Sequence, residues 1–235
     1  MENAILMASG MGTRMRPLTN TIPKPLVEIN NTPMIETVIN ALNTRGIDNI
    51  TVVTGYLGEQ FNYLKDKYKN INIIKNPDYE TVNNISSIYY ACDVLLKGNC
   101  FICEADLFIT DNCILKQNLN HSCYFGRFVK GHSDDWVFET DKDGFITRVG
   151  KYGDNLYNMV GISYFKADDA KILNEAIKNA YYKKGYENLF WDDVVNNNLD
   201  KLKLKVQSIE QNKIIEIDTV EELNEVRKIW GKNES

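Results

Sequence analysis

The chain reads as an α/β protein: a mostly parallel sheet with helices on both faces, carrying a small antiparallel β insert in its second half. Three observations predict this. Between Ala4 and Asp106, short apolar runs alternate with stretches of helical period, the pattern of repeated βα units. Beyond Asp106 that alternation gives way to strand-like runs joined by Asp141-Lys142-Asp143-Gly144, a hairpin turn. Two apolar runs end in aspartate, at Asp106 and Asp218, and the carboxyl ends of parallel strands are where such sheets bind ligands.

Ala4 to Ala8 is a buried strand that runs into a glycine-containing loop. Pro33 opens a helix whose apolar stripe is Met34, Ile35, Val38, Ile39 and Leu42, and Gly46 ends it. Ile50 to Thr54 is a second strand, Gly58 to Tyr68 a helix and Ile71 to Lys75 a third strand. A turn-rich segment, NPDYETVNN, precedes a helix over Ile85 to Leu96, and Cys100 to Asp106 is the fourth strand. Ser122 to Lys130, Trp136 to Thr140 and Phe145 to Val149 are strands of the insert, followed by a strand over Met159 to Phe165. Helices follow over Asp168 to Tyr182, with Ala170, Leu173, Ile177 and Ala180 inward, and over Glu187 to Leu199. Strands at Leu202 to Ser208 and Ile214 to Asp218 and a helix from Thr219 to Trp230 close a single domain spanning 1–235, with its nucleotide-binding part over about 1–110 and its acceptor-binding part over about 111–235.

Its 235 residues, 43% of them hydrophobic, suffice for one sizeable core. A net charge of -5 with scattered lysines offers no footprint for nucleic acid or an anionic membrane. No apolar run is long enough to span a bilayer and no signal peptide opens the chain, so a cytoplasmic location is expected. Five cysteines, an odd number without a secretory signal, are expected to stay reduced. On a strand, Cys100 and Cys103 point to opposite faces and cannot share a metal.

The loop after the first strand carries Gly10, Gly12, Arg14, Arg16 and Lys24. Glycines let main-chain N–H groups approach a ligand, and fixed guanidinium and ammonium groups suit a polyphosphate. Residue by residue, a strand-to-helix turn with solvated cations explains the same set. The order of the stretch goes further. Ala8, Gly10, Gly12, Arg14, Pro17, Thr19 or Thr21, Pro23 and Lys24 fill the pattern A-x-G-x-G-x-R-x-x-P-x-T-x-x-x-P-K, with Ser9 where alanine is usual. That pattern resembles the signature of nucleotidyltransferases that join a nucleoside triphosphate to a phosphorylated sugar or alcohol. It implies their Rossmann-like, GT-A-like nucleotidyltransferase fold. It matches neither the ATPase phosphate loop nor the dinucleotide-binding fingerprint.

A triphosphate travels with Mg²⁺, which takes one or two carboxylates and fills its octahedron with water and phosphate oxygens. Asp106 and Asp218 are the candidates. Asp218 has a rival role, since Asp218-Thr219-Val220-Glu221 has the form of a helix cap, and Asp106 has one as a solvated turn residue. Two of the three tryptophans sit beside acidic pairs, in Asp134-Asp135-Trp136 and Trp191-Asp192-Asp193. Aromatic faces with nearby anions hold a quaternary ammonium group; helix packing for Trp191 and hairpin packing for Trp136 are the other readings. Trp230, among Val220, Leu223 and Val226, is assigned to packing.

With Gly55-Tyr56-Leu57, Glu59-Gln60-Phe61, Asn83-Asn84, Ser87, Trp136, Trp191-Asp192 and Glu216-Ile217-Asp218 added, the chain resembles the bacterial choline-phosphate cytidylyltransferases nearly end to end. The resemblance implies transfer of a cytidylyl group from CTP to phosphocholine. Arg14 and Lys24 would grip phosphates, and Asp106 and Asp218 would hold Mg²⁺. Ala8, Ser9, Gly10, Met11, Gly12, Asn84 and Ser87 would hold the nucleotide, and Trp136, Phe190, Trp191, Asp192 and Glu216 the choline head. The alternatives are a sugar-1-phosphate nucleotidyltransferase, a cytidylyltransferase for phosphoethanolamine or another phosphorylated amine, and a non-catalytic nucleotide sensor.

Overall fold

The computed structural model describes residues 1–230; 231–235, the end of the span read as one domain, lie outside the described residues. Its centre is a set of parallel strands: β1 (Glu2–Ala8) lies between β4 (Asn49–Thr54) and β6 (Asn99–Glu104), and β5 (Ile71–Lys75) adds to β4. Both faces of β1 are covered, and Ala4, Ile5 and Leu6 are fully buried, which is why the run is continuously apolar instead of alternating. β2 (Glu28–Ile29) and β3 (Thr32–Pro33) form a short ribbon ahead of helix α1 (Met34–Arg45). Gly46 ends α1 with φ 91°, its N–H returning to Asn43 and Leu42 carbonyls, a left-handed cap that glycine adopts without strain.

The second half extends the same sheet with strands of opposite direction. β11 (Tyr157–Phe165) runs antiparallel to β6 and, along its length, to β8 (Ser122–Phe128) and β9 (His132–Thr140). β9 and β10 (Ile146–Asp154) form the expected hairpin, and β12 (Leu204–Ser208) lies parallel to β8. The result is a nine-stranded sheet whose first four strands are parallel.

Helical boundaries differ from expectation where local geometry interrupts the period. Gly58 to Tyr68 resolves into a 3₁₀ turn, Gly58–Phe61, and α2 (Tyr63–Lys67). Ile85 to Leu96 is broken at Ala91 into α3 (Ile85–Tyr90) and α4 (Cys92–Leu95). The helix read over Glu187 to Leu199 contracts to α6 (Trp191–Asn196), because Leu189 and Phe190 are extended. α5 (Ala167–Ala180) buries Ala170, Leu173 and Ile177 as its period requires. The β2–β3 ribbon was not foreseen, nor was β7 (Leu107–Ile109), which pairs with β13 (Ile214–Glu216) just before α7 (Val220–Trp230).

Candidate active site

The loop after β1 is held in shape by its own residues. Gly12 has φ 60°, and a Cβ there would lie 2.9 Å from Lys24 Cβ and 3.2 Å from Thr19 Cγ2, so only glycine fits both the backbone and the space. Thr19 Oγ1 donates to the Gly12 carbonyl at 2.8 Å, folding the loop on itself. The Gly55-Tyr56-Leu57 motif braces it from outside. Tyr56 N–H reaches the Ser9 carbonyl at 3.2 Å, its phenol donates to the Thr19 carbonyl at 3.0 Å, and Gln60 Nε2 donates to the Thr21 carbonyl at 2.8 Å. A side chain at Gly55 would collide with the Tyr79 ring, 2.6 Å away.

Lys24 is the charged centre. Its ammonium bridges Asp106 Oδ2 and Asp218 Oδ1, both at 2.6 Å, and Arg14 Nη2 reaches the same Asp218 oxygen at 2.7 Å. Burial opposes the charge on Lys24, but Asp106 and Asp218 outweigh it and hold the ammonium protonated well above the usual lysine range. The pairing of β7 with β13 brings the two aspartates together: Glu216 lies opposite Leu107, so Asp106 and Asp218 emerge side by side. Asp218 is not the cap of α7. Thr219 and Glu222 form that cap reciprocally, Glu222 Oε2 accepting from Asp218 and Thr219 N–H groups at 2.7 and 3.0 Å and Thr219 Oγ1 accepting from Glu222 N–H at 3.2 Å. That leaves the Asp218 carboxylate for the site.

Two further carboxyls sit two residues earlier on the same strand faces, Glu104 and Glu216, and sequence reasoning had not singled out Glu104. The i, i+2 spacing was the available signal. Burial, then Glu216 and Asp106, push Glu104 well above the usual carboxylate range. Crowding by protein and then Asp106 and Asp218 push Glu216 up as well. The site therefore tolerates only part of its formal negative charge and favours cations.

Two adjoining cavities meet at this cluster. The first, about 470 Å³, is lined by Ala8, Ser9, Gly10, Gly12, Asn84 and Ser87 on its loop side, and by Arg14, Lys24, Asp106 and Asp218 at its charged end. Ser9 and Ser87 hydroxyls pair at 2.6 Å, with Asn76 Nδ2 3.4 Å from each. Met11 lines neither cavity. The second, about 560 Å³, shares Arg14, Asn84, Glu216 and Asp218 and adds Trp136, Phe190 and Asp192. Trp136 and Phe190 meet edge to face with centroids 5.4 Å apart. Arg127, Lys151 and Asn158 also line it and were not anticipated.

Trp191 must be removed from the proposed ring. It is 3% exposed, stacks on Tyr124 at 5.8 Å and meets Phe165 edge-on at 6.1 Å, so the helix-packing reading is the one the structure supports. Being the first residue of α6, it turns inward while Asp192 turns to the cavity. Asp192 Oδ1 accepts from the Tyr124 phenol at 2.9 Å, and burial pushes its carboxyl up to about 7. Asn84 lies where the cavities join. Its Oδ1 accepts from Trp191 N–H at 3.0 Å, while Asn83 N–H donates to the Glu187 carbonyl at 2.8 Å.

Among the described residues, no three His, Cys, Asp or Glu side chains converge as a ready-made metal cage. Burial pushes the Cys100 and Cys103 thiols up, on opposite faces of β6, and Cys113 is the exposed cysteine. No described helix is long and apolar enough to cross a membrane.

A glycine-bearing loop after the first strand of a parallel sheet, a lysine–aspartate centre and two adjoining cavities make up the site. The chain belongs to the Nucleotidyl transferase family, whose pattern it matches over residues 3–125. It is 55% identical over 221 residues, 94% of this chain and 90% of the relative, to the 2-aminoethylphosphonate cytidylyltransferase of Lancefieldella rimae. It is 33% identical to the choline-phosphate cytidylyltransferase of Streptococcus pneumoniae, covering 99% of both chains. The solved structure of the CTP:phosphocholine cytidylyltransferase from Streptococcus pneumoniae superposes with TM-score 0.89 at 32% identity, over 97% of this chain and 98% of that one.

Proposed function

We propose that the protein is a cytidylyltransferase that joins CTP to a small acceptor bearing a phosphonate or phosphate at one end and an amine at the other, with 2-aminoethylphosphonate as the foremost example. The observation that carries the choice of acceptor is the composition of the second cavity. With Trp191 in the core, only Trp136 and Phe190 present aromatic faces, whereas Asp134, Asp135, Asp192, Glu104 and Glu216 line the same space. A quaternary ammonium group has no N–H and depends on aromatic faces, whereas a primary ammonium group donates to carboxylates. The likeness to the Lancefieldella rimae enzyme supports the same choice. Phosphocholine is the second reading, favoured by the Trp136–Phe190 pair and by the Streptococcus pneumoniae relative.

In this reaction an acceptor oxygen forms a bond to the α-phosphorus of CTP while the bond from that phosphorus to the bridging oxygen breaks, and pyrophosphate leaves with the electron pair. The acceptor is already anionic, so no enzyme nucleophile is needed; the obstacle is repulsion between two polyanions. Arg14, shared by both cavities, and Lys24, in the first, supply fixed positive charge. Ser9, Gly10 and Gly12 line the nucleotide's cavity, and Trp136 and the acidic wall orient the amine so that the phosphonate faces Arg14. Asp106 and Asp218, hard oxygen donors brought together at the Lys24 ammonium, would hold Mg²⁺. When bound, the ion would neutralise charge on the triphosphate.

The test is pyrophosphate release from CTP with 2-aminoethylphosphonate, phosphoethanolamine, phosphocholine and glucose 1-phosphate. The amine acceptors are expected to lead by kcat/KM. A preference for phosphocholine would favour the second reading, and activity with glucose 1-phosphate alone would overturn both.

A further inference from the structure

Most carboxyl groups around the second cavity already face a protein donor, and two do not. Asp135 accepts from Asn158 Nδ2 at 3.1 Å, Asp192 from the Tyr124 phenol at 2.9 Å, and Asp218 from Arg14 and Lys24. Glu222 accepts from the N–H groups just before α7, and Asp134 lies 3.3 Å from His132 Nε2. Among the described residues, the carboxyls of Glu104 and Glu216 make no hydrogen bond or ion pair.

Both carboxyls are open to a ligand. Glu216 is exposed and Glu104 half-buried, and the buried side-chain atoms that lack a partner lie elsewhere, on Asn3, Asn158 and Trp191. Glu104 Oε2 lies against Gly161 of β11, 3.0 Å from where a Cβ would stand, and Gly161 lines the second cavity. With φ 75° that position suits glycine, and the missing side chain leaves the Glu104 carboxyl its room at the cavity wall. Glu104 and Glu216 also line the first cavity, so they stand where the two meet, each two residues before an aspartate that contacts Lys24. An acceptor whose phosphonate reacts at that junction, and whose spacer is a single ethylene unit, cannot place its ammonium group far away.

We propose that Glu104 and Glu216 accept N–H bonds from the acceptor's ammonium group, and that Glu104 is the residue that selects an amine over a neutral group of the same size. This rests on the cytidylyltransferase reading above and assigns its amine preference to a particular side chain. A carboxylate only accepts hydrogen bonds, so a pair without protein donors is completed by a ligand that brings N–H groups. Glu104 leads the pair because it is the less exposed of the two, and water competes less for a bond made there. Such a bond is charge-assisted and roughly twice as strong as a neutral one. A hydroxyl in place of the ammonium keeps a donor and loses that advantage.

The experiment is steady-state kinetics of the full chain with CTP and either 2-aminoethylphosphonate or 2-hydroxyethylphosphonate, which differ only in the terminal group. Wild-type protein is expected to favour the amine by roughly 100-fold or more in kcat/KM. Glu104→Gln keeps the shape of the side chain and removes its charge. It should lose about 10- to 100-fold on the amine and under about threefold on the alcohol. Equal losses on both acceptors, as a general role in phosphate or metal binding would give, or no loss on the amine, would overturn the assignment. Glu216→Gln, at an exposed position, provides the second reading should Glu104→Gln fail to fold. It too should narrow the gap between amine and alcohol, and an unchanged gap would count against the pair. Wild-type protein that uses the alcohol as well as the amine would also overturn the assignment, whereas one inactive with CTP and every amine-bearing acceptor would instead refute the cytidylyltransferase reading itself.

Discussion

Replacing Lys24 by methionine keeps the stem and removes the charge that Asp106 and Asp218 share. Each contact, at 2.6 Å, has a gross attraction of about 6 kcal/mol at an effective dielectric near 20, most of it offset by the desolvation of the ions. Removing one partner of a buried ion pair costs about 3–5 kcal/mol. Here the Asp106 and Asp218 side chains keep 23% and 21% of their exposure, so water screens what remains and about 2 kcal/mol is the expected loss of stability. For a chain of this length that lowers Tm by roughly 4–8 °C. On the role proposed for Lys24, the effect on catalysis should be larger, because a fixed cation beside a transferring phosphoryl group acts where charge moves: turnover at saturating substrates should fall roughly 10²- to 10³-fold, or about 3–4 kcal/mol of barrier. Paired measurement of melting temperature and pyrophosphate release separates the two effects. A Lys24→Met protein that melts lower yet turns over within about threefold of wild type would mean that the ammonium only holds the aspartates together.

Other consequences can be measured in the same assays. Trp136→Ala should raise the KM for the acceptor roughly tenfold, from a cation–π loss of about 1–2 kcal/mol, and leave the KM for CTP within twofold; an unchanged acceptor KM would take the indole out of the site. Gly12→Ala adds a methyl 2.9 Å from Lys24 Cβ at a left-handed residue, with about 1–2 kcal/mol of backbone strain before any clash, so both turnover and Tm should drop; a fully active variant would show that the loop need not be so close. Asp192, raised to about 7 in the folded state from an unfolded value near 3.8, binds a proton in the native protein that the unfolded chain has already lost, so stability declines as pH rises from about 4 to about 7. Asp192→Asn should abolish that decline, matching wild type near pH 4 and exceeding it at pH 8 by on the order of 4 kcal/mol in denaturant melts. Parallel pH profiles for the two proteins would show that the carboxyl is not strained by its burial.

Much of this was legible in the sequence wherever the chemistry is local. The loop after the first strand could be read because Gly12, Arg14 and Lys24 follow closely on the strand that positions them, and the hairpin because its turn is a four-residue signal. The meeting of Asp106 with Asp218 could be expected only as a property of strand ends. The device that achieves it, β7 on β13, consists of two three-residue strands, too short to have a period. Trp191 misled because its neighbours in sequence are acidic while its neighbours in space are Tyr124 and Phe165, contributed by β8 and β11. Asn158 gave no signal in advance: it is isolated in sequence from Ser133 and Asp135, which hold its amide beside the second cavity.

The contact between Asn83-Asn84 and the segment from Glu187 to Trp191 joins the stretch beside the first cavity to the stretch beside the second. On the later segment it grips main-chain atoms alone: the Glu187 carbonyl, the Asn188 carbonyl and the Trp191 amide. Every residue but proline offers both of those groups. The side chains of this segment that face the second cavity can therefore be exchanged for others without removing these hydrogen bonds, so a change in what that cavity accepts need not disturb the first cavity next to it.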